Sequence, residues 1–265
     1  MVNLRVVKEI EHKLKTRFVG RKILFYPQLP STMETAREMA KRGGEEGTVI
    51  VAGSQTAGRG RRGRKWISPE GNLYFTLILH PQLVQLSQLV MLASVSVVRA
   101  IQEVSGLEAE IKWPNDVLIS GKKVCGILIE NEVKGNAVRF SLIGMGLNVD
   151  FNSALYPEVA RSAGSLSQEE GVNVSCSEVM VSLFTGLEKL YLEMQKGVSP
   201  YEEWRKLMNM ENKLIRVKDG EQVREGKVVE VLPDGALILL CADGGFTRVV
   251  AGDVFLQRTS QRLSF

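Results

Sequence analysis

Five cations fall within seven consecutive residues, 59–65 (RGRRGRK): Arg59, Arg61, Arg62, Arg64 and Lys65, broken by Gly60 and Gly63. Like charges at this density repel and glycine adds backbone freedom, so the segment is predicted to be a loop, mobile until an anion orders it. Arginine forks grip phosphate or carboxylate oxygens bidentately, and glycines let backbone N–H groups approach the same anion. A solvated surface loop or a nucleic-acid contact has the same composition. The rest of the chain has to decide between them.

Net charge narrows the choice. Lys and Arg number 34 against 30 Asp and Glu, a balance of +4 over 265 residues. The loop alone exceeds that total, so the remainder is close to neutral; a general nucleic-acid coat is disfavoured and a focused basic site preferred. The length suits one large domain and a small one. Three cysteines without a CxxC pair and two histidines give no standard zinc set, and free thiols in a reduced cytoplasm are the simplest reading. The first residues, MVNLRVVKEIEHKLK, lack an apolar signal core, and no apolar run is expected to reach membrane-spanning length. The expected location is cytoplasmic.

Residues 3–16 space Leu4, Val7, Ile10 and Leu14 as one amphipathic helix, leaving no room for a three-helix DNA-reading domain. Residues 22–26 (KILFY) read as a strand, after which Pro27 to Pro30 should turn the chain. Ser31-Thr32-Met33-Glu34 is a capping-box pattern opening a helix that stops at Gly43-Gly44. Residues 48–52 (TVIVA) and 72–80 (NLYFTLILH) are strands, and 88–104 a core helix ended by Gly106. In residues 111–130, a strand is broken at Pro114-Asn115-Asp116 and folds back as a hairpin through Ser120-Gly121. Residues 141–149 form a further strand containing Gly144 and Gly146, where a ligand or backbone can come close or a bulge can form. The chain is then loop-like to about Ser177 and helical over 178–195, with a last helix from about Pro200. From Asn212, short apolar runs alternate with Asp-Gly and Pro-Asp-Gly turns: a small barrel-like β module, with the domain boundary near residue 211.

The hairpin brings Lys112, Asn115, Asp116 and Lys123 towards one face. Cations beside one carboxylate suit a nucleotide phosphate and its magnesium ion. No GxxxxGK[ST] sequence exists, so this is no P-loop enzyme. Nor is there a serine–histidine–acid candidate, and Cys125, between Val124 and Gly126, reads as buried.

Four segments together carry a resemblance: GRGRRGRKW at 58–66, KWPNDV at 112–117, GKKVCGILIE at 121–130 and GMGLNV at 144–149. In that order and at those spacings they resemble the biotin protein ligase family, and Ser31-Thr32-Met33 is similar to its S-T-[N/M] element. The likeness runs over roughly residues 25–260. It implies an α+β fold: a mixed sheet with helices of the class II aminoacyl-tRNA-synthetase type over residues 1–211, then a small SH3-like β-barrel over 212–265. The activity implied is ATP-dependent formation of biotinyl-5′-AMP, with Mg2+, followed by transfer of biotin to one lysine of a biotin carboxyl carrier protein domain. A reactive anhydride needs water excluded, and joining a carboxylate to a phosphate needs positive charge around both.

By the same resemblance, Ser31, Thr32 and Met33 would line the biotin site and Gln55 would contact the ligand head. Arg59, Gly60 and Arg61 would close on biotin and the adenylate, with Arg61 limiting leakage. Lys123 would hold carboxylate and α-phosphate oxygens in the transition state. Asp116 would serve metal, phosphate orientation or attack by the acceptor lysine. Trp66 and Trp113 would face adenine or pack the core, packing being preferred for Trp113. Lys112, Asn115 and Asn148 would lie on the nucleotide side, Asn115 and Asp116 near the metal, and Gly126 and Gly146 would admit a close backbone. Many relatives have asparagine where this chain has Met33. A ligase-only member is implied, without sequence-specific DNA or membrane partners, and such ligases often pair as homodimers. The rivals are a lipoate or octanoyl transferase of the same fold, a nucleic-acid-binding module using residues 59–65, and an inactive adenylate-responsive regulator.

Overall fold

The structure, a computed structural model, describes residues 2–170 and 174–256; residues 257–265 of the expected C-terminal module lie outside them. The apolar runs at 48–52 and 72–80 lack alternation, so as strands both of their faces must be covered. They are interior strands. Among the described residues a seven-stranded mixed sheet forms in the order β1-β2-β3-β7-β6-β5-β4. Its members are β1 (Ile23–Leu29), β2 (Val49–Gln55), β3 (Leu73–Leu79), β4 (Glu110–Lys112), β5 (Asp116–Ile119), β6 (Lys122–Lys134) and β7 (Ala137–Leu147). β1 and β2 are parallel, joined by a crossover through helix α2 (Thr32–Lys41); β2–β3, β3–β7, β7–β6, β6–β5 and β5–β4 are antiparallel.

Side-chain parity assigns the two faces. Odd positions Val49, Val51, Phe75, Leu77, Ile127, Ile143 and Leu147 enter the main core. That core is covered by α1 (Leu4–Lys13), α3 (Leu89–Ser105), α5 (Cys176–Gln195) and α6 (Tyr201–Met208), with a short α4 at Leu166–Glu170. Even positions Ile50, Ile78, Phe140 and Leu142 pack with Met33, Ala36 and Ala40 of α2 on the other face. Continuing along the same face come Gly144 and Gly146 on β7, paired with Leu128 and Gly126 on β6. A strand period of two thus turns the glycines into a floor beside α2 rather than a defect in the core.

Several expectations need correction. Pro27 lies inside β1, which runs on to Leu29; β1 is an edge strand, where a missing N–H leaves no ladder bond unmade. The stretch 150–177 is not all loop, since α4 interrupts it and α5 begins at Cys176. Leu83–Ser105, a 3-10 turn running into α3, is 23 residues long and its most apolar window of 18 residues has mean hydropathy 1.6, so an apolar run of membrane-spanning length does exist by composition. Of its most apolar window 67% is buried inside the fold, where it packs against α5, α6 and the sheet.

Beyond residue 211 the described residues form five strands: β8 (Leu214–Asp219), β9 (Gln222–Val231), β10 (Leu237–Leu240), β11 (Phe246–Val249) and β12 (Asp253–Leu256). The run 247–256, read from sequence as one stretch, splits into β11 and β12 around Gly252, whose φ is +149°. Their antiparallel sheet has the order β11-β10-β9-β8-β12, so β11 and β12 are its opposite edges. Four flat spacings would separate them by about 19 Å, but the link from Val249 to Asp253 reaches only about 14 Å. The sheet therefore curls. It is tied to the larger half by Trp113 Nε1 donating to Gly235 O at 2.8 Å and by the Tyr201 hydroxyl donating to Val231 O.

The entry to β1 rests on a buried acid. Glu188 of α5, 7% exposed, accepts from the backbone N–H groups of Arg17, Phe18 and Val19 at 2.7, 2.8 and 3.0 Å. Glu188→Gln halves the acceptor capacity and aims an NH2 at N–H donors. It is expected to lower stability by about 2 kcal/mol, read as a lower urea midpoint at unchanged slope.

Candidate active site

The glycine floor opens into a cavity of about 510 Å³, a volume in the range of small-molecule sites. Among the described residues its lining carries six cations (Arg59, Arg61, Arg64, Lys65, Lys112, Lys123) against three carboxylates, Asp116, Glu158 and Asp253. Of the predicted site residues, Ser31, Thr32, Met33, Gln55, Arg59, Gly60, Arg61, Trp66, Lys112, Asn115, Asp116, Lys123 and Gly126 all reach it. Asn148 does not; it is buried, with Nδ2 donating to Gly164 O at 2.9 Å.

At one end, α2 begins without its predicted cap. Ser31 sits at the N-cap position, but its side chain makes no capping bond. Gln55 Oε1, from the end of β2, takes the Thr32 N–H at 2.9 Å and lies 3.3 Å from Thr32 Oγ1. Gln55 Nε2 donates to Ser68 Oγ at 3.0 Å, so both ends of this amide have protein partners. Glu34, the acid of the expected capping box, pairs instead with Arg59. A long-range carboxamide thus takes the N–H of the first helical residue, while the Ser31 hydroxyl, expected to take that of Glu34, makes no capping bond.

The floor is matched to two side chains. A Cβ on Gly144 would lie 2.5 Å from Met33 Sδ, and one on Gly146 would lie 2.2 Å from Trp66 Nε1. On Gly126 a Cβ would come within 2.9 Å of the Trp66 ring. These glycines therefore admit an indole and a thioether, and all three also line the cavity. Met33 packs on Gly144 and lines the cavity as well. Trp66 Nε1 is buried without a hydrogen-bond partner among the described residues.

The cationic loop is not a set of mutually repelling charges held only by solvent. It folds as a tight turn closed by Gly60 N–H to Arg64 O at 2.7 Å, with a bridge between Arg59 and Lys65. Arg59 goes to Glu34, Arg61 Nη1 donates to Asn115 Oδ1 at 3.0 Å, Arg62 meets Asp219, and Arg64 meets Asp253. Burial, then the neighbouring Arg62, pulls the Arg61 guanidinium below its ordinary value. Its charged form is thus short of compensation, which favours an added anion nearby.

Opposite the loop, Lys123 Nζ lies 2.7 Å from Asp116 Oδ1 and 5.0 Å from the Trp66 ring centroid. The β5–β6 hairpin sets this pair, since Asp116 is opposite Gly126 and a register shift at Val117/Leu118 turns Lys123 back towards it. Asn115 is held by donating Nδ2 to Ile127 O at 2.6 Å. Trp113 is 2% exposed and packs the core, while Lys112 Nζ lies 6.0 Å from the Phe255 ring centroid. Cys125 is fully buried and burial pushes its thiol up, so it is no nucleophile. Sequence reasoning missed the far contributors Glu158, Asp253, Val254 and Phe255. No local pattern marks them.

A profile described as the biotin/lipoate A/B protein ligase family matches residues 25–148. The bifunctional ligase/repressor BirA of Bacillus subtilis (strain 168) is 37% identical over 254 residues, covering 94% of this chain and 78% of its own. The Escherichia coli K12 protein of the same name is 30% identical, covering 86% of this chain and 73% of its own. Among solved structures, the biotin protein ligase from Aquifex aeolicus in complex with biotin and ATP superimposes with a TM-score of 0.74 at 28% identity. It covers 90% of this chain and 100% of that one. On identity of this extent, joined to the motifs and the site they build, the chain belongs to the biotin/lipoate A/B protein ligase family and, within it, to the biotin protein ligases.

Proposed function

We propose that this protein condenses biotin with ATP to biotinyl-5′-AMP and then transfers biotin to a lysine of a biotin carboxyl carrier domain. The observation that carries this reading is the convergence of Lys123, Arg61 and Lys112 over a glycine floor in one cavity. In the first step a biotin carboxylate oxygen attacks the α-phosphorus and pyrophosphate departs. Two anions must meet, and Lys123 and Arg61 supply fixed positive charge where they do. In the second step the acceptor amine attacks the carboxyl carbon, AMP leaves, and a base takes the amine proton; Asp116 is the nearest carboxylate to Lys123. Ser31, Thr32, Met33 and Gln55 form the end wall against which the acid would lie, and the 59–66 loop with Trp66 excludes water from the anhydride. Lys112 and Asn115 flank the nucleotide side, where Phe255 offers a face for a base.

Among the described residues no group of three or more His, Cys, Asp or Glu side chains gathers as a metal site. One carboxylate and one amide oxygen, Asp116 and Asn115, fit a magnesium ion held mainly by phosphates and water. Bound there, it would neutralise phosphate charge. The large sheet would correspond to the synthetase-like catalytic half over residues 1–211, and the curled sheet beyond it to an SH3-like module.

The test is incubation of the purified protein with biotin and Mg-ATP, without acceptor, followed by mass spectrometry for pyrophosphate and retained biotinyl-5′-AMP. Lipoate and octanoate run alongside. Biotinyl adenylate alone is the expected product. Adenylate from lipoate or octanoate instead would move the assignment to that branch, and none from any acid would end the ligase reading.

A further inference from the structure

We infer that Asp219 and Asp253 are positioning residues, forming a clasp by which the C-terminal sheet holds the arginine loop closed and sets how long the activated intermediate stays bound. The inference rests on the ligase reading for its consequence but on separate contacts for its geometry. Arg62 Nη2 lies 2.6 Å from Asp219 Oδ1, and Arg62 Nη1 donates to Lys218 O at 3.3 Å. Arg64 Nη2 lies 2.8 Å from Asp253 Oδ1. Lys218 and Asp253 are directly paired across β8 and β12, so the two carboxylates are presented by one end of one ladder.

The loop is shaped to reach them. Arg62 has φ +59° and ψ +33°, a left-handed conformation that arginine seldom adopts and that persists only where the surroundings impose it. With Arg62 and Arg64 turned to the C-terminal sheet, Arg59 and Arg61 turn the other way, to Glu34 on α2 and Asn115 at the cavity. The same few residues thus grip both halves of the protein. A clasp needs a fixed end, and the C-terminal sheet has one: the Trp113–Gly235 and Tyr201–Val231 bonds tie it to the catalytic half on another side.

Strength also fits a device that must open for substrate. The Asp219 and Asp253 side chains are 41% and 33% exposed. Exposed pairs of this kind shift an equilibrium by up to about fivefold each. Together they bias the loop towards closure by roughly one order of magnitude, enough to retain an intermediate and little enough to release the loop each cycle.

The experiment compares the full-length protein with the Asp219→Asn/Asp253→Asn double variant in two measurements. The first is the rate at which preformed biotinyl-5′-AMP dissociates into a trap. The double variant is expected to release it about tenfold faster. Raising salt should accelerate release from the wild type and leave the double variant nearly unchanged, because contacts between exposed charges are screened. Exchanging the charges, Arg62→Asp with Asp219→Arg, should recover part of the retention, which a merely structural role would not do. Equal release rates from a wild type that does make adenylate would overturn the clasp and leave the ligase reading intact. The second measurement is amide hydrogen exchange over residues 58–66, which needs no substrate. Faster exchange in the double variant is expected, and unchanged exchange would overturn the clasp even if no adenylate ever formed.

Discussion

Lys123→Ala is expected to lower the rate of biotinyl-5′-AMP formation about 10²- to 10³-fold, the usual cost of removing one preorganised donor from a site of developing charge. The ammonium sits 2.7 Å from Asp116 and 5.0 Å from the Trp66 ring centroid, at the side of the cavity where the carboxylate and α-phosphate would meet. Two features make its loss severe. It is the pocket cation anchored directly on the β6 strand that forms the floor, so its position needs no loop closure. Its removal also leaves Asp116 as a negative charge facing two incoming anions. The effect should fall on kcat, with the KM for ATP changed only a few-fold, since Lys112, Arg61 and Asn115 remain on the nucleotide side; that split marks an interaction made mainly in the transition state. Lys123→Arg should recover little, because a planar fork cannot occupy the place of a compact ammonium. Pyrophosphate release under single-turnover conditions measures this, and an unchanged rate would refute the role assigned to Lys123.

Gly146→Ala is the second substitution with a large expected effect. The new methyl carbon would fall 2.2 Å from Trp66 Nε1, on a strand paired on both sides that cannot retreat. Either the core absorbs the overlap, at about 1–3 kcal/mol, or Trp66 moves. The loop carrying Trp66 is held by exposed ion pairs worth about 0–1 kcal/mol each, so the indole should yield first. Global stability is then expected to change little, while biotinyl adenylate binds roughly ten- to a hundredfold more weakly because its enclosing wall is displaced. Fluorescence separates the two outcomes. Trp113 and Trp204 are 2% and 0% exposed, so a red shift reports Trp66. A lowered unfolding midpoint without a red shift would show that the core, not the loop, had given way.

Much of this was readable in the chain. Strands at 48–52 and 72–80, the α3 helix with its Gly106 stop, and the hairpin through Ser120-Gly121 follow from local periodicity and turn chemistry. The positions of the site residues in the family motifs were readable too, and all but Asn148 reach the cavity. Reading failed where a local preference met a distant competitor. The capping box at Ser31 is a sound local pattern, yet Gln55 takes the Thr32 N–H and Arg59 takes Glu34. Pro27 has a local preference for turns, and nothing in its neighbours along the chain marks the edge strand that accommodates it. Gly126 and Gly146 were recognised as points of close approach, but what approaches is the Trp66 indole.

By itself, then, the sequence determined which segments become strands and helices, which glycines must face something large, and that one loop would be strongly cationic. These are properties of neighbours along the chain, where bond geometry and side-chain period act directly. Only the tertiary structure decided where each cation goes. Arg62 finds Asp219 across 157 residues and Arg64 finds Asp253 across 189. No spacing rule links such positions, because they meet only after two separate sheets have folded and packed, and a carboxylate's partner is set by which surface packing brings within reach.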